Sequence, residues 1–201
     1  MSGPQPIDSA SARGRGRPRD PSKDALVRAA VLASLIEDGF DATTIPAVAK
    51  RAGVGAPTIR RRWPTQIELI EAIFDDILQG ELADFEGAGF EKMIEVVAEG
   101  AFQFFGHPAA RRALPGLLVA YNGDRARYEA LTARIEVPSR AALRKAHKEA
   151  VAQGIAARKP DSDTLFSAVV ASAWYYAAVR GETSPRVVRA VVDLALRSVR
   201  P

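Results

Sequence analysis

Apolar residues recur every three or four positions along this chain of 201 residues, and no stretch alternates residue by residue between hairpin dipeptides. That spacing predicts an all-α protein. A first helix is expected to open at Asp20-Pro21-Ser22 and run to about Asp38. Val27, Ala30, Val31 and Leu35 share one of its faces, and Gly39 follows as a residue able to take positive φ at the stop. Thr44 reads as the N-cap of a second helix, with Pro46 in its first turn and Ile45, Val48, Ala49 and Ala52 as its apolar stripe. Gly53-Val54-Gly55 makes a tight turn, a short third helix spans about Ala56 to Trp63, and Pro64 ends it. A fourth helix opens at Thr65 and carries Ile67, Ile70, Ile73, Phe74 and Ile77 as one stripe.

Past the glycine-bearing break at Glu86-Gly87-Ala88-Gly89, the segment from Phe90 to Phe105 is apolar nearly all round, which predicts deep burial. His107-Pro108 closes it. Four further helices are expected: Ala109 to Ala120 with an interruption at Pro115, Asp124 to about Gln153 with a bend near Pro138, Asp161 to Arg180, and Ser184 to Arg200.

Composition narrows the function classes. With 47% hydrophobic and 26% charged residues the chain has the make-up of an ordinary soluble protein. It has no cysteine, which excludes disulfides, thiolate nucleophiles and cysteine-ligated metals and fits a reducing cytoplasm. No secretory signal opens the chain, and no run is long and apolar enough to predict a membrane span. The net charge of +4 is concentrated: residues up to Gln66 carry a net +5 and the remainder −1. A polyanion partner for the N-terminal segment follows from that asymmetry.

Within this segment three offsets coincide. Taking Ile45 as position one of a helix-turn-helix, small Ala49 falls where the helices cross, Gly53 in the turn, and Ile59 on the packing face of the second helix. The exposed side of the third helix would then offer Ala56, Pro57, Thr58, Arg60, Arg61 and Arg62 to the major groove, the arginines fanning across the helix so that one reaches bases and the others phosphates. Thr44, at the start of the second helix, is a cap first and a phosphate contact second. Upstream, Arg13-Gly14-Arg15-Gly16-Arg17-Pro18-Arg19 has the make-up of a flexible basic arm and a short AT-hook-like core, with Arg15 and Arg17 suited to a narrow minor groove.

In order, Gly16-Arg-Pro-Arg19, Gly39-Phe-Asp-Ala-Thr-Thr44, Val48-Ala-Lys-Arg-Ala-Gly-Val54, Pro57-Thr-Ile59 and Trp63-Pro-Thr65 resemble the TetR family of bacterial transcriptional regulators over Gly16 to about Ile77. The resemblance implies a three-helix DNA-binding domain followed by a divergent helical domain for ligand binding and dimerisation. It implies a homodimer on a near-palindromic operator, released by a small-molecule effector. Three positions depart from the family pattern: Arg60 stands where Tyr is common, Gln66 where Lys is common, and Gly55 where Ser is usual. The expected division is a basic arm over 1–20, a helix-turn-helix domain over 21–66, and a ligand-binding and dimerisation domain over 67–201.

For the second half the resemblance supplies architecture alone. Leu165, Ala168, Val169, Ser172 and Tyr176, then Val188, Val192 and Ala195, recur at helical spacing and are candidates for a dimer bundle, an intramolecular core being the other reading. Phe102, Phe105, Tyr121, Tyr128, Trp174 and Tyr175 are candidates for the wall of an effector pocket, and the scarcity of charge among them suggests an apolar or aromatic ligand. No cofactor, metal or catalytic residue is expected. His107 and His147 are the only histidines, each reads as a solvated structural residue, and no nucleophile elbow, metalloprotease motif or P-loop is present. A DNA-binding activator or architectural protein without an effector is the competing function.

Overall fold

The computed structural model describes residues 21–79 and 88–201, and the chain there is helical with no strand among the described residues. The basic arm, with Arg15 and Arg17, lies outside the described residues. Helix α1 covers Pro21–Glu37, α2 Ile45–Ala52, α3 Ala56–Arg60, α4 Gln66–Gln79, α5 Phe90–Gly106, α6 Pro108–Asn122 and α7 Arg125–Ala152. Helix α8, Ser162–Ala173, runs into a π-helical stretch, Trp174–Val179, and α9 covers Pro185–Ser198. No helix among the described residues is long and apolar enough to cross a membrane.

Two apolar cores organise these helices. The first joins Val27, Val31 and Leu35 of α1, Val48 of α2, Ile59 of α3 and Ile70, Ile73 and Phe74 of α4 to Ala110, Ala113 and Leu117 of α6. Packing therefore runs unbroken from the N-terminal helices into α6. The second is built on α5, whose Met93, Ile94, Ala98 and Phe102 are buried among α7, α8, the π-helical stretch and α9. Helix α5 sits at the centre of this half, but it is not buried all round as expected: Glu91, Lys92, Glu99 and Gln103 form an exposed polar side opposite the packed face.

Two connections fix how the first core meets α6. The ring of Phe40, in the α1–α2 loop, lies so close to Gly116 on α6 that a Cβ there would collide with it. Arg112 of α6 donates to the carbonyls of Leu35 (3.4 Å) and Glu37 (3.1 Å), so it supplies partners to the orphan carbonyls at the end of α1.

Some local expectations change. Helix α6 passes through Pro115 without a break; Pro115 has no N–H to offer the Arg111 carbonyl, and both residues are exposed. Helix α3 stops at Arg60, since the N–H groups of Arg62 and Trp63 both turn back to the Ile59 carbonyl at 2.9 Å. His147 is buried, not solvated: its Nε2 lies 3.0 Å from the Ala157 carbonyl and its ring stacks on Phe90 at 5.0 Å.

Candidate functional site

The helix-turn-helix is assembled by backbone chemistry before any side chain reaches outward. The Thr44 hydroxyl accepts the Ala47 N–H at 3.3 Å and so caps α2. Gly53 ends that helix at φ +64, where its N–H bonds the Ala49 carbonyl; a side chain at this φ would be strained. Val48, Ala49, Val54 and Ile59 are buried between α2 and α3. On the outer side Pro57, Arg60 and Arg61 are exposed, while Thr44, Ala56 and Thr58 are half-buried.

The three arginines separate by role. Because α3 ends at Arg60, Arg61 and Arg62 sit in the turn beyond it and do not fan around a helix. Arg62 forms an ion pair with Asp24 of α1 and lies over the Trp63 ring at 5.4 Å, so its charge ties α1 to the α3–α4 turn. Arg51 is likewise engaged, donating to Glu37 (2.6 Å) and Asp38 (3.0 Å) across the end of α1; the bond to Glu37 holds its proton more firmly than usual. Gln66 donates to the Phe40 carbonyl at 2.6 Å and so braces the α1–α2 loop. Arg60, the last residue of α3, and Arg61, in the turn beyond it, carry exposed positive charge on this side.

Helix α4 begins with a reciprocal cap: Thr65 Oγ1 accepts the Glu68 N–H at 3.2 Å, and the Glu68 carboxylate accepts the Thr65 N–H at 3.1 Å. The Thr-x-x-Glu spacing carries that signal in the sequence. One turn on, buried Glu71 accepts the Tyr121 hydroxyl of α6 at 2.9 Å. Arg127 of α7 lies between Glu68 (3.3 Å) and Glu71 (3.7 Å). Burial, followed by the charge of Glu71, pushes the Tyr121 phenol well above the ordinary tyrosine range. No local pattern forecasts this network, because Glu71 and Tyr121 are 50 residues apart.

Tyr121 also forms part of the wall of a largely apolar cavity of about 250 Å³. Phe104 and Phe105 of α5, Leu117 of α6, Tyr128 and Ile135 of α7, Phe166 and Val170 of α8, and Phe74 of α4 surround it. Of the aromatic residues expected at a pocket, Phe105, Tyr121 and Tyr128 line this space. Phe102 does not: it is packed in the second core and borders a separate open groove with His107 and Val188. Trp174 and Tyr175 do not either, because the π-helical stretch turns them to the surface, where they are 40% and 48% exposed.

Two family models account for most of the chain. "Bacterial regulatory proteins, tetR family" matches residues 28–73, and "Tetracyclin repressor-like, C-terminal domain" matches residues 92–195. The chain belongs to the TetR family. It is a helix-turn-helix transcriptional regulator. An uncharacterised HTH-type regulator of Mycobacterium tuberculosis is 40% identical over 62 residues, covering 29% of this chain and 31% of that protein. YdeS of Bacillus subtilis, also described as uncharacterised, is 39% identical over 56 residues, 28% of each chain. The chain thus spans less than a third of the length of these curated relatives in the matched region. Among solved structures, a TetR-family regulator from Rhodococcus sp. aligns with TM-score 0.66 at 17% identity, covering 88% of this chain and 100% of that one. FadR from Bacillus subtilis, in complex with stearoyl-CoA, aligns with TM-score 0.65 at 13% identity over 88% and 100%. At such identities the shared property is the TetR fold.

The residues expected at a TetR dimer bundle divide between two faces. Leu165, Val169, Val192 and Ala195 are buried inside this chain, where they belong to the core around α5. Tyr176 and Val188 pack half-buried against the same core. Ser172 is half-buried and donates to the Ala168 carbonyl of its own helix at 2.7 Å. Only Ala168 of that set is exposed. Helical spacing finds the apolar stripe but not its neighbour, and here α5 takes it. The opposite face of α8, the π-helical stretch and α9 carries Ala168, Ala171, Trp174, Tyr175, Val179, Ala190 and Leu194, all exposed.

Proposed function

We propose that this TetR-family regulator is a homodimeric repressor that leaves a near-palindromic operator when a small molecule enters the cavity around Tyr121. One observation carries the reading. Tyr121 is at once a wall of that cavity and, through Glu71, a hydrogen-bond partner of α4, the helix that follows the helix-turn-helix directly. A ligand that displaces the Tyr121 ring has to alter the hold of α6 on α4, and a change in α4 re-aims α3. The effector shifts the equilibrium only by its preference for one arrangement over the other. FadR of the same fold was captured with stearoyl-CoA, and another structural neighbour is described as a ketosteroid regulator, which supports a ligand-responsive role.

In this reading residues 21–66 bind DNA and residues 67–201 hold the ligand and the second copy. Arg60 and Arg61 of each copy, with Thr44, Ala56, Pro57 and Thr58 around them, meet the major groove, and the arm with Arg15 and Arg17 enters the minor groove beside it. The exposed apolar face from Ala168 to Leu194 pairs with its own copy, an isologous arrangement that matches a two-fold symmetric site. The protein acts without catalysis, in the bacterial cytoplasm on the nucleoid. Selection of sites from random DNA by the purified chain tests the proposal: a two-fold symmetric consensus is expected, with reporter expression from that site rising when the gene is deleted. A consensus without symmetry, or reporter expression that falls on deletion, would refute the repressor reading in favour of an architectural protein or an activator.

A further inference from the structure

The walls of the cavity restrict what it can take, a conclusion that rests on reading it as the effector site. We infer that its ligand is an uncharged, compact ring compound bearing one hydroxyl or carbonyl group.

Size comes first. A dry apolar cavity of about 150 Å³ holds benzene. At about 250 Å³ this one has room for a fused two-ring skeleton, far less than a long-chain acyl thioester such as the stearoyl-CoA held by FadR. Shape follows from Phe104, Phe105, Phe166 and Tyr128, whose rings favour a flat aromatic or alicyclic partner. Leu118 and Tyr128, 49% and 40% exposed, are the lining residues most open to solvent, and both present apolar surface.

Charge is excluded by the way the wall is neutralised. Glu136 is the acidic residue on the lining, and its Oε2 receives Nε and Nη2 of Arg140 at 3.0 and 2.8 Å. Arg140 donates further to the Asp163 carbonyl and Ser167, and its guanidinium sits 4.2 Å over the Phe166 ring. A ligand anion therefore meets a carboxylate whose counter-ion is already spent, and a ligand cation meets a pair of zero net charge. Neither recovers its hydration.

The polar handle is found by elimination among the lining hydroxyls. Tyr121 is bonded to Glu71, and Thr132 to the Tyr128 and Glu129 carbonyls of its own helix. The Tyr128 and Ser139 hydroxyls have no such bond among the described residues; Tyr128 is 40% exposed and Ser139 only 8%, so the hydroxyl shielded from water and left for the ligand is that of Ser139.

Calorimetric titration of the full chain without DNA tests this, with 1-naphthol, 1-naphthoate, 1-naphthylmethylammonium and stearoyl-CoA as probes. Saturable binding of 1-naphthol is expected, with the charged ring analogues at least tenfold weaker and stearoyl-CoA not bound in the cavity. Ser139→Ala should weaken 1-naphthol about fivefold, the loss of one neutral hydrogen bond. Ala101→Leu should abolish binding by filling the space; Val170→Phe serves the same end from the opposite helix, whichever of the two keeps the wild-type circular dichroism being used. Absence of 1-naphthol binding, equal or tighter binding of either ion, or binding of stearoyl-CoA that the filling variant blocks overturns the inference. No DNA enters this titration, so its failure leaves the repressor reading standing. A chain that binds 1-naphthol yet holds its operator unchanged sinks that reading and not this one.

Discussion

Replacing Tyr121 with Phe removes one oxygen atom and leaves the ring, and therefore the cavity wall, in place. The lost hydroxyl is the donor to Glu71 Oε1 at 2.9 Å, and both residues are only 8% exposed. A hydrogen bond to a buried charged group contributes about 1.5–3 kcal/mol. Arg127 stays within 3.7 Å of the same carboxylate oxygen, so the loss belongs at the lower end, about 1.5–2 kcal/mol. For a chain of this size that corresponds to a fall in Tm of about 3–8 °C. Thermal unfolding followed by circular dichroism measures it, and a cycle with Glu71→Gln isolates the pair: in the Gln background the Phe substitution should cost about 1 kcal/mol less. Operator titrations with and without effector add a second readout, in which the Phe variant binds the effector as before but shows a smaller loss of DNA affinity. An unchanged Tm together with a strictly additive cycle would refute the bond between α6 and α4, and full retention of the effector response would refute its part in transmission.

Three other outcomes follow from the geometry. Arg61→Ala should weaken operator binding with Tm unchanged, whereas Arg62→Ala should lower stability by about 0.5–1 kcal/mol through loss of the partly exposed Asp24 pair; equal effects on both readouts would overturn the division of roles. Gly116→Ala should destabilise by about 1–3 kcal/mol in chemical denaturation, because the new methyl collides with the Phe40 ring, and a neutral result would mean that the α1–α2 loop does not rest on α6 as described. The raised Tyr121 phenol has a sign that alkaline pH reveals. Its contribution is complete below the ordinary tyrosine value of about 10 and is lost as pH rises toward the higher folded-state value, so the stability gap between wild type and Tyr121→Phe should narrow above about pH 10. A gap that stays constant to pH 11.5 would contradict the assignment.

What the sequence determined by itself is the material governed by local backbone chemistry. Thr44 as a cap, Gly53 in the left-handed turn, and Val48 and Ile59 as packing anchors are each set within one or two helical turns, and each is found in the structure as read. The helix-turn-helix is legible for that reason: its geometry is made by residues close in sequence, and a spacing of four or six positions translates directly into a face. Tertiary structure decided everything that depends on which apolar face meets which. It gave the Leu165 and Val192 stripes to α5 and left the Trp174 face open, and it paired Arg62 with Asp24 of α1. It also joined Glu71 to Tyr121 across 50 residues. Periodicity records that a residue wants burial or a charge wants a partner, but the partner itself is chosen by the packing of helices far apart in the chain.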